Sequence, residues 1–544
     1  MTHPETGFVR SLFEGRVRSE RILPFPLPDA ETRETTDEIV SMVTDWAAGA
    51  IDPRAIDEEK RIPDAVVAGL RELGLFGLTI DEAYGGAGMG QYAYARVMEA
   101  VAHRCASTVT ILGAHLGIGM KGLSLYGTDE QKTRWMPALA AGERLAAFAL
   151  TEASAGSDAA ALRTTADRTP DGRWRLNGRK VWITNANLAG HLTLFARTPH
   201  PANPDAALLE RPISAFFVPT DVPGVTIGAP EDKMGLRGSC TTEVGLEDVE
   251  LDADCLLGTE GQGFKVALNV LNAGRHGLAA SCIGQAKLAR ELAVLHAHER
   301  EQFGQPIAGF GMVRELLAAM EADIYTMEAG TWLTAGLIDR GDRDIMLESA
   351  CCKMFATETL WRIANDSLQV TGGTGFMREY PYERIVRDAR INMIFEGTNQ
   401  VLRMMLVGQG LRGLDLAGAN GGSAGPGLAG VHPDLSGERA AVEELLPLFA
   451  ARARAFAAAH GRDVRRAQLP LRRLADMVVA LFGACAVLSR ATATIEAGGE
   501  ASALERERDV ARLACLRLTT DLRRAMVEDD RAQDALLHRV AERM

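Results

Sequence analysis

Between about Glu31 and Ala147 the apolar positions follow a helical period: Ile39, Val43 and Trp46 fall three and four residues apart, as do Val66, Leu70 and Leu73. The glycine-rich stretch from Ala83 to Gly90 cannot continue a helix cheaply and predicts a loop between two helices. After Phe148 the period drops to two. Trp174 to Leu176 and Lys180 to Thr184 flank the turn pair Asn177-Gly178, which predicts a β-hairpin. His191 to Ala196, Ile213 to Val218 and Val225 to Ile227 predict further short strands, ending near Leu257. From Gly263 the helical period returns through Leu268 to Leu271, Leu288 to His298 and Val313 to Leu337. The pattern describes a mainly α protein with a central β domain.

A chain of 544 residues exceeds what one core normally supports, so several domains are expected. The boundaries read as an N-terminal extension over 1–30, a helical domain over 31–147, the β domain over 148–258 and a helical bundle over 259–412. The Gly- and Ala-rich stretch that begins at Gly413 predicts a linker over 413–437. An additional helical domain would fill 438–544, where Ala, Leu and Arg abound and Trp, Tyr and Lys are missing. With 47% hydrophobic and 24% charged residues the chain is neither disordered nor membrane-spanning in class, and its net charge of -13 argues against nucleic acid as a partner. The eight cysteines show no metal-ligand spacing and read as reduced thiols, with no metal site. Met1 to Arg21 lacks an apolar signal region, which places the expected location in the cytoplasm.

Candidate chemistry centres on the heptapeptide from Ile394 to Gln400, which sets Glu396 between an apolar run and a Gly-Thr-Asn-Gln step. A carboxylate whose apolar neighbours exclude water can act as a base toward a weakly acidic proton. Taken alone, the same seven residues also suit a solvated turn or a helix cap. The hydroxyl-rich loop from Phe148 to Asp158 can bring backbone N–H groups near an anion or a ring heteroatom, and equally reads as a capped turn. Trp182 and Thr184 add an indole face and a hydroxyl, suited to a planar heterocycle or to a sheet core.

Together these segments resemble the acyl-CoA dehydrogenase family of flavoproteins, above all its very-long-chain branch. The resemblance rests on FALTEASAGSD from Phe148, WITN from Trp182, KMGLRGS from Lys233, LNAGR from Leu271, EREQFGQPI from Glu299, LQVTGGTGF from Leu368 and IFEGTNQ from Ile394, in that order. It runs from about residue 8 to the chain end, including the additional C-terminal domain of that branch. The resemblance implies FAD as cofactor, an acyl-CoA substrate and α,β-dehydrogenation to a trans-2-enoyl thioester, a step of fatty acid β-oxidation. By motif position it assigns Glu396 as the catalytic base. Phe148, Leu150, Thr151, Trp182 and Thr184 would line the flavin, and Arg300 and Phe303 would reach the dinucleotide of a neighbouring subunit. Gln369, Gly373, Thr398, Asn399 and Gln400 would complete the FAD site. Ser157, Leu271, Gly274, Arg275 and Gly397 would face substrate, with Ser157 toward the phosphopantetheine and Arg275 either in an orienting role or as a helix-surface arginine in an ion pair.

Some relatives place the base immediately before the Arg of the LNAGR-like segment. Here that position is Gly274, which leaves Glu396 as the family-matched base. Ala153 stands where the family usually has proline, which implies a looser flavin loop, and Gly245 replaces an apolar strand residue. The segment from Thr108 to Gly117 carries small residues where medium-chain relatives have Gln and Glu. A deep acyl channel is therefore expected, for chains of roughly 12 carbons or more at about 0.8 kcal/mol per buried methylene, although Gly113 and Gly117 also suit close helix packing alone. Electron-transfer flavoprotein would be the acceptor and a homodimer the assembly. In the C-terminal domain, Arg452, Arg454, Arg462, Arg465, Arg466, Arg472 and Arg473 alternate with Leu446, Phe449, Phe456 and Leu469. That mix suits peripheral contact with the inner face of a membrane as well as a solvated helical face. Two rival functions share the motifs: an acyl-CoA oxidase, which would release peroxide in air, and a flavoprotein assembly or scaffold protein, which acyl-CoA would not bleach.

Overall fold

The computed structural model describes residues 7–414, 427–527 and 531–544. The chain forms two compact units. One comprises Ala30–Ala289 with Ser367–Glu396; the other comprises Met1–Asp29, Arg290–Asp366 and Gly397–Met544.

In the first unit the helices Ala30–Ala50 and Gln91–Arg104 pack together, with Val43, Ala47, Val97 and Val101 buried at helical spacing. A loop through the glycine-rich stretch leads into the second of these helices, as the pattern predicted. The helix Ala106–Leu112 then widens into a π-helical turn over Gly113–Gly119. The sheet runs in the order Val225–Ile227, Thr241–Leu251, Trp174–Thr184, Thr165–Arg168, Ala189–Arg197, Ile213–Pro219, Leu256–Leu257, with Leu145–Ala149 paired in parallel to Ala189–Arg197. Trp174, Phe195, Phe216 and Phe217 of its strands are fully buried, and Trp174 meets Phe216 edge-on at 5.2 Å.

Asn177-Gly178 is not a hairpin turn. It lies inside one unbroken strand, Trp174–Thr184, whose antiparallel partners are Thr165–Arg168 and Thr241–Leu251. A Cβ on Gly178 would lie 2.5 Å from Thr164 Oγ1, so the glycine serves close strand approach at a register shift. Neighbouring strands rather than a local reversal satisfy its backbone.

In the second unit the N-terminal segment is a core element rather than an extension. Phe8, Val9, Leu12 and Phe13 of the helix Phe8–Phe13 are buried, Phe13 meets Phe449 edge-on at 5.2 Å, and the Val9 N–H donates to Glu348 at 2.8 Å. Helices Gly311–Asp339, Met346–Thr371 as far as Asp366, Asn399–Gly410, Ser436–His460, Gln468–Ala497, Ala501–Val527 and Arg531–Ala541 also belong to the unit. Gln468–Ala497 is long and apolar enough to cross a membrane, yet most of it is buried in this core. Of the expected linker over 413–437, residues 415–426 lie outside the described residues; Leu428 and Leu435 beyond them are fully buried, so the packed region starts earlier than 438. Helix Gly263–Glu299 joins two stretches of helical period in one run of 37 residues.

Candidate active site

Glu396 follows the helix Tyr382–Arg390 and a short 3-10 turn, and its φ of +56° puts a non-glycine residue in the left-handed region. Gly397 follows at φ +91°, and the Thr398 hydroxyl then accepts from the Val401 N–H at 3.3 Å to cap the helix Asn399–Gly410. The motif thus encodes a two-residue left-handed turn and a cap. Holding Glu396 there costs about 1–3 kcal/mol, a strain that surrounding contacts must sustain.

Those contacts come partly from Arg275 on the helix Gly263–Glu299. Its Nε donates to the Glu396 carbonyl at 3.2 Å, while Nη1 donates to Asn272 Oδ1 at 2.6 Å. The guanidinium is only 4% exposed; burial draws its pKa down to about 10, with the Glu396 charge opposing. Arg275 therefore holds the Glu396 backbone. Tyr94, also buried, feels the same carboxylate: burial first, and the charge of Glu396 second, push its phenol up. Glu396 itself is half-buried.

Next to Arg275, a Cβ on Gly274 would lie 2.9 Å from Ile118 Cγ2 and 3.3 Å from the Gly117 carbonyl oxygen. The position of the alternative base has no room for a side chain. Across from it, a Cβ on Gly117 would lie 3.2 Å from the Tyr94 hydroxyl, and one on Gly113 3.3 Å from Met98 Cε. Both glycines are used for close packing, the alternative their size allowed, with Tyr94 and Met98 beside them. Leu271 is half-buried on the same helix.

The flavin-loop residues lie on the sheet. Phe148 packs edge-on against Phe195 at 5.1 Å, Leu150 is buried and Thr151 half-buried, and the Thr151 carbonyl accepts from the Val181 N–H at 3.0 Å. This bond sets the loop beside Trp182, whose φ is +58° and whose side chain remains 62% exposed. Thr184 is half-buried opposite Thr241. An exposed indole in a strained backbone beside a fixed loop is an unspent planar apolar surface, which suits an isoalloxazine ring. Ser157 is exposed on the loop.

Beneath the loop, sequence reasoning missed its anchor. The Glu152 carboxylate is buried and accepts from the Arg163 N–H at 2.7 Å, the Thr164 N–H at 3.0 Å, the Thr164 hydroxyl at 2.6 Å and Lys180 Nζ at 2.7 Å. Burial alone would raise this carboxyl, but the Lys180 charge and the other donors outweigh it and hold the pKa below the ordinary range. Burial draws the fully enclosed Lys180 down to about 8 against the pull of Glu152. Strand parity carried the signal: Lys180 shares its face with buried Trp174 and Leu176.

Gln369 and Gly373 are exposed, and a Cβ on Gly373 would meet nothing within 4 Å, so no contact inside the chain explains that glycine. Its open backbone fits close approach by a phosphate-bearing group. Arg300 is exposed beside the hairpin Glu301–Gln302 and Gln305–Pro306, at whose tip Phe303 is 94% exposed with φ +53°. Gln400 is exposed, whereas Asn399 is buried, with its amide bonded to Thr357, Glu358 and Lys353.

A strained, half-buried carboxylate fixed by a buried arginine, in a fold with an exposed indole and open glycines, suits acid–base chemistry beside a planar ligand. Comparison with known proteins names the group. The acyl-CoA dehydrogenase N-terminal, middle and C-terminal domain descriptions match residues 33–143, 147–249 and 261–411, and the ACAD9/ACADV C-terminal domain matches 433–544. The very long-chain specific acyl-CoA dehydrogenase of Rattus norvegicus is 37% identical over 90% of this chain and 80% of its own. The short-chain specific enzyme of Homo sapiens is 38% identical over 70% of this chain and 91% of its own. A Bacillus anthracis acyl-CoA dehydrogenase complexed with FAD superimposes with a TM-score of 0.83 at 28% identity, covering 97% of this chain and 94% of that one. The chain belongs to the acyl-CoA dehydrogenase family and is an FAD-dependent enzyme.

Proposed function

We propose that the enzyme oxidises long-chain saturated acyl-CoA thioesters between Cα and Cβ, within fatty acid β-oxidation, and passes the electrons to electron-transfer flavoprotein. The observation that carries the reaction is Glu396, strained and held by Arg275 beside a Gly274 that excludes the alternative base. Glu396 takes the proton from Cα; the hydrogen on Cβ leaves with its electron pair, and the C–C bond becomes a trans double bond. Bound FAD supplies the two-electron acceptor for that hydride. Trp182, Thr184 and the loop pinned by Glu152 would hold its ring system. The α-proton of a thioester is only weakly acidic, so the half-buried Glu396 needs bound substrate to exclude water from it.

Long chains are supported by the C-terminal domain, which this chain shares with the ACAD9/ACADV description. The very long-chain relative, unlike the short-chain one, matches over nine-tenths of the chain. Anaerobic mixing with a series from butyryl- to stearoyl-CoA tests the reading through bleaching of the flavin. Palmitoyl-CoA should bleach it fastest, Glu396→Gln should keep FAD while slowing bleaching roughly 10²- to 10⁴-fold, and an optimum at butyryl-CoA would refute the chain length. Peroxide formed stoichiometrically in air would assign an oxidase instead, and yellow protein that no acyl-CoA bleaches would assign a scaffold.

The same reading includes a homodimer, in which the exposed Phe303 hairpin would meet a second copy, and a cytoplasmic enzyme at the inner face of the membrane. The residues expected to touch lipid are only partly available, since Leu446, Phe449 and Phe456 are buried and Arg473 is paired with Asp534. The helix Arg531–Ala541 instead exposes Leu536, Leu537 and Val540 beside His538 and Arg539, a better lipid-facing mix. Liposome flotation with anionic lipid should capture the protein, and Leu536→Ser/Leu537→Ser should release it.

A further inference from the structure

Lys353 is a fully buried lysine on the helix Met346–Thr371. Its Nζ donates to the Gly397 carbonyl at 3.0 Å and to Asn399 Oδ1 at 2.7 Å. The Asn399 amide donates onward to Thr357 Oγ1 at 3.1 Å and to Glu358 Oε1 at 2.9 Å. Glu358 accepts both ends of the Arg403 guanidinium, at 2.7 and 2.9 Å, and Arg403 Nε donates to Asp476 Oδ1 at 2.7 Å. Asp476 lies on Gln468–Ala497, within the region matched by the additional C-terminal domain. A continuous line of charged and amide groups therefore runs from that domain to the residue covalently attached to the base.

We propose that Lys353 is a positioning residue for Glu396: its bond to the Gly397 carbonyl holds the left-handed turn, and Asp476, through Arg403, Glu358 and Asn399, makes the C-terminal helical domain part of that support. The physical reason is the turn itself. Glu396 and Gly397 both have positive φ, a pair that relaxes unless contacts on each side over-determine it. Arg275 holds the first carbonyl of the turn and Lys353 the second. An ammonium donor gives the stronger, charge-assisted kind of bond. Lys353 and Asn399 at the near end are buried, while Glu358 and Asp476 are partly exposed, so an incomplete network costs most beside the turn and a change at the far end reaches it in weaker form. The additional domain then has a catalytic consequence as well as a packing one.

The inference rests on Glu396 being the base. The test uses the full-length holoenzyme and reads anaerobic flavin bleaching by palmitoyl-CoA at saturation together with the substrate concentration for half-maximal rate. Lys353→Met should retain FAD and bleach roughly 10- to 100-fold more slowly, the worth of one charge-assisted hydrogen bond, with half-saturation changed less than about threefold. Asp476→Asn should slow bleaching in the same sense by a smaller factor, and its effect should vanish in the Lys353→Met background. A saturated rate equal to the wild type in flavin-loaded Lys353→Met overturns the proposal. If that variant does not fold, Asp476→Asn alone decides: a slower saturated rate with unchanged half-saturation supports it, and an unchanged rate overturns it. Glu396→Gln in parallel separates the two failures, because normal bleaching there would refute the base itself.

Discussion

Replacing Tyr94 by alanine should lengthen the acyl chain the enzyme prefers. Its phenol occupies the ground between the π-helical turn and the Gly263–Glu299 helix: a Cβ on Gly117 would stand 3.2 Å from its hydroxyl and one on Gly277 2.6 Å from its ring. The charge of Glu396 acts on the same phenol, so Tyr94 lies within electrostatic reach of the proposed base. Truncation removes seven heavy atoms, room for about four methylenes if only part of the space is used, and at about 0.8 kcal/mol each that is about 3 kcal/mol, or roughly two decades in kcat/KM for the longest substrates. The cavity should cost a similar amount of stability when empty, about 3–5 kcal/mol, which a domain of ordinary stability survives. The assay is kcat/KM against chain length from octanoyl- to docosanoyl-CoA, with Tyr94→Phe as the control that keeps the ring. The alanine profile should shift to longer chains while the phenylalanine profile keeps the wild-type optimum. Superimposable alanine and wild-type profiles would refute the idea that Tyr94 closes the channel.

Lys180→Met should strand the buried Glu152 carboxylate, destabilise the protein by about 3 kcal/mol and weaken FAD binding, with Glu152→Gln restoring part of the loss; thermal melts and flavin titration check both. Moving the base, Glu396→Gly with Gly274→Glu, should give no bleaching with any acyl-CoA and a lowered melting temperature, because Ile118 and the Gly117 carbonyl fill the new side chain's space. Burial raises the Glu348 carboxyl from 4.5 to about 7, so the folded state holds a proton that the unfolded chain has released between those values. That contribution, about 3 kcal/mol, is fully present below pH 4.5 and is lost as pH rises through 7. Because Glu348 accepts from the Val9 N–H, proteolysis of the N-terminal helix should quicken over that window and become pH-independent in Glu348→Gln.

The helix, strand, helix order was legible because apolar period reports which face of a segment is buried, and Val225–Ile227 ends where that period places it. The same reasoning misread Asn177-Gly178, since a turn pair describes local freedom and not the strands waiting on either side. It also left Phe8–Phe13 as an extension, although Phe8, Leu12 and Phe13 form an apolar face, because its partner Phe449 lies more than 400 residues onward.

By itself the sequence determined the chemistry available to this protein: one carboxylate in an apolar step, a glycine at the rival position, an indole beside a hydroxyl-rich loop, and motifs in an order that identify the family. Those depend only on which side chains exist. Tertiary structure decided how they are held. It set Glu396 in a strained turn under Arg275, packed Met98 and Tyr94 beside Gly113 and Gly117, and made Asn399 a link between Lys353 and Glu358. Buried charges such as Lys180 and Lys353 acquire a role only from partners brought close by folding, because desolvation and pairing depend on distances that spacing along the chain does not contain.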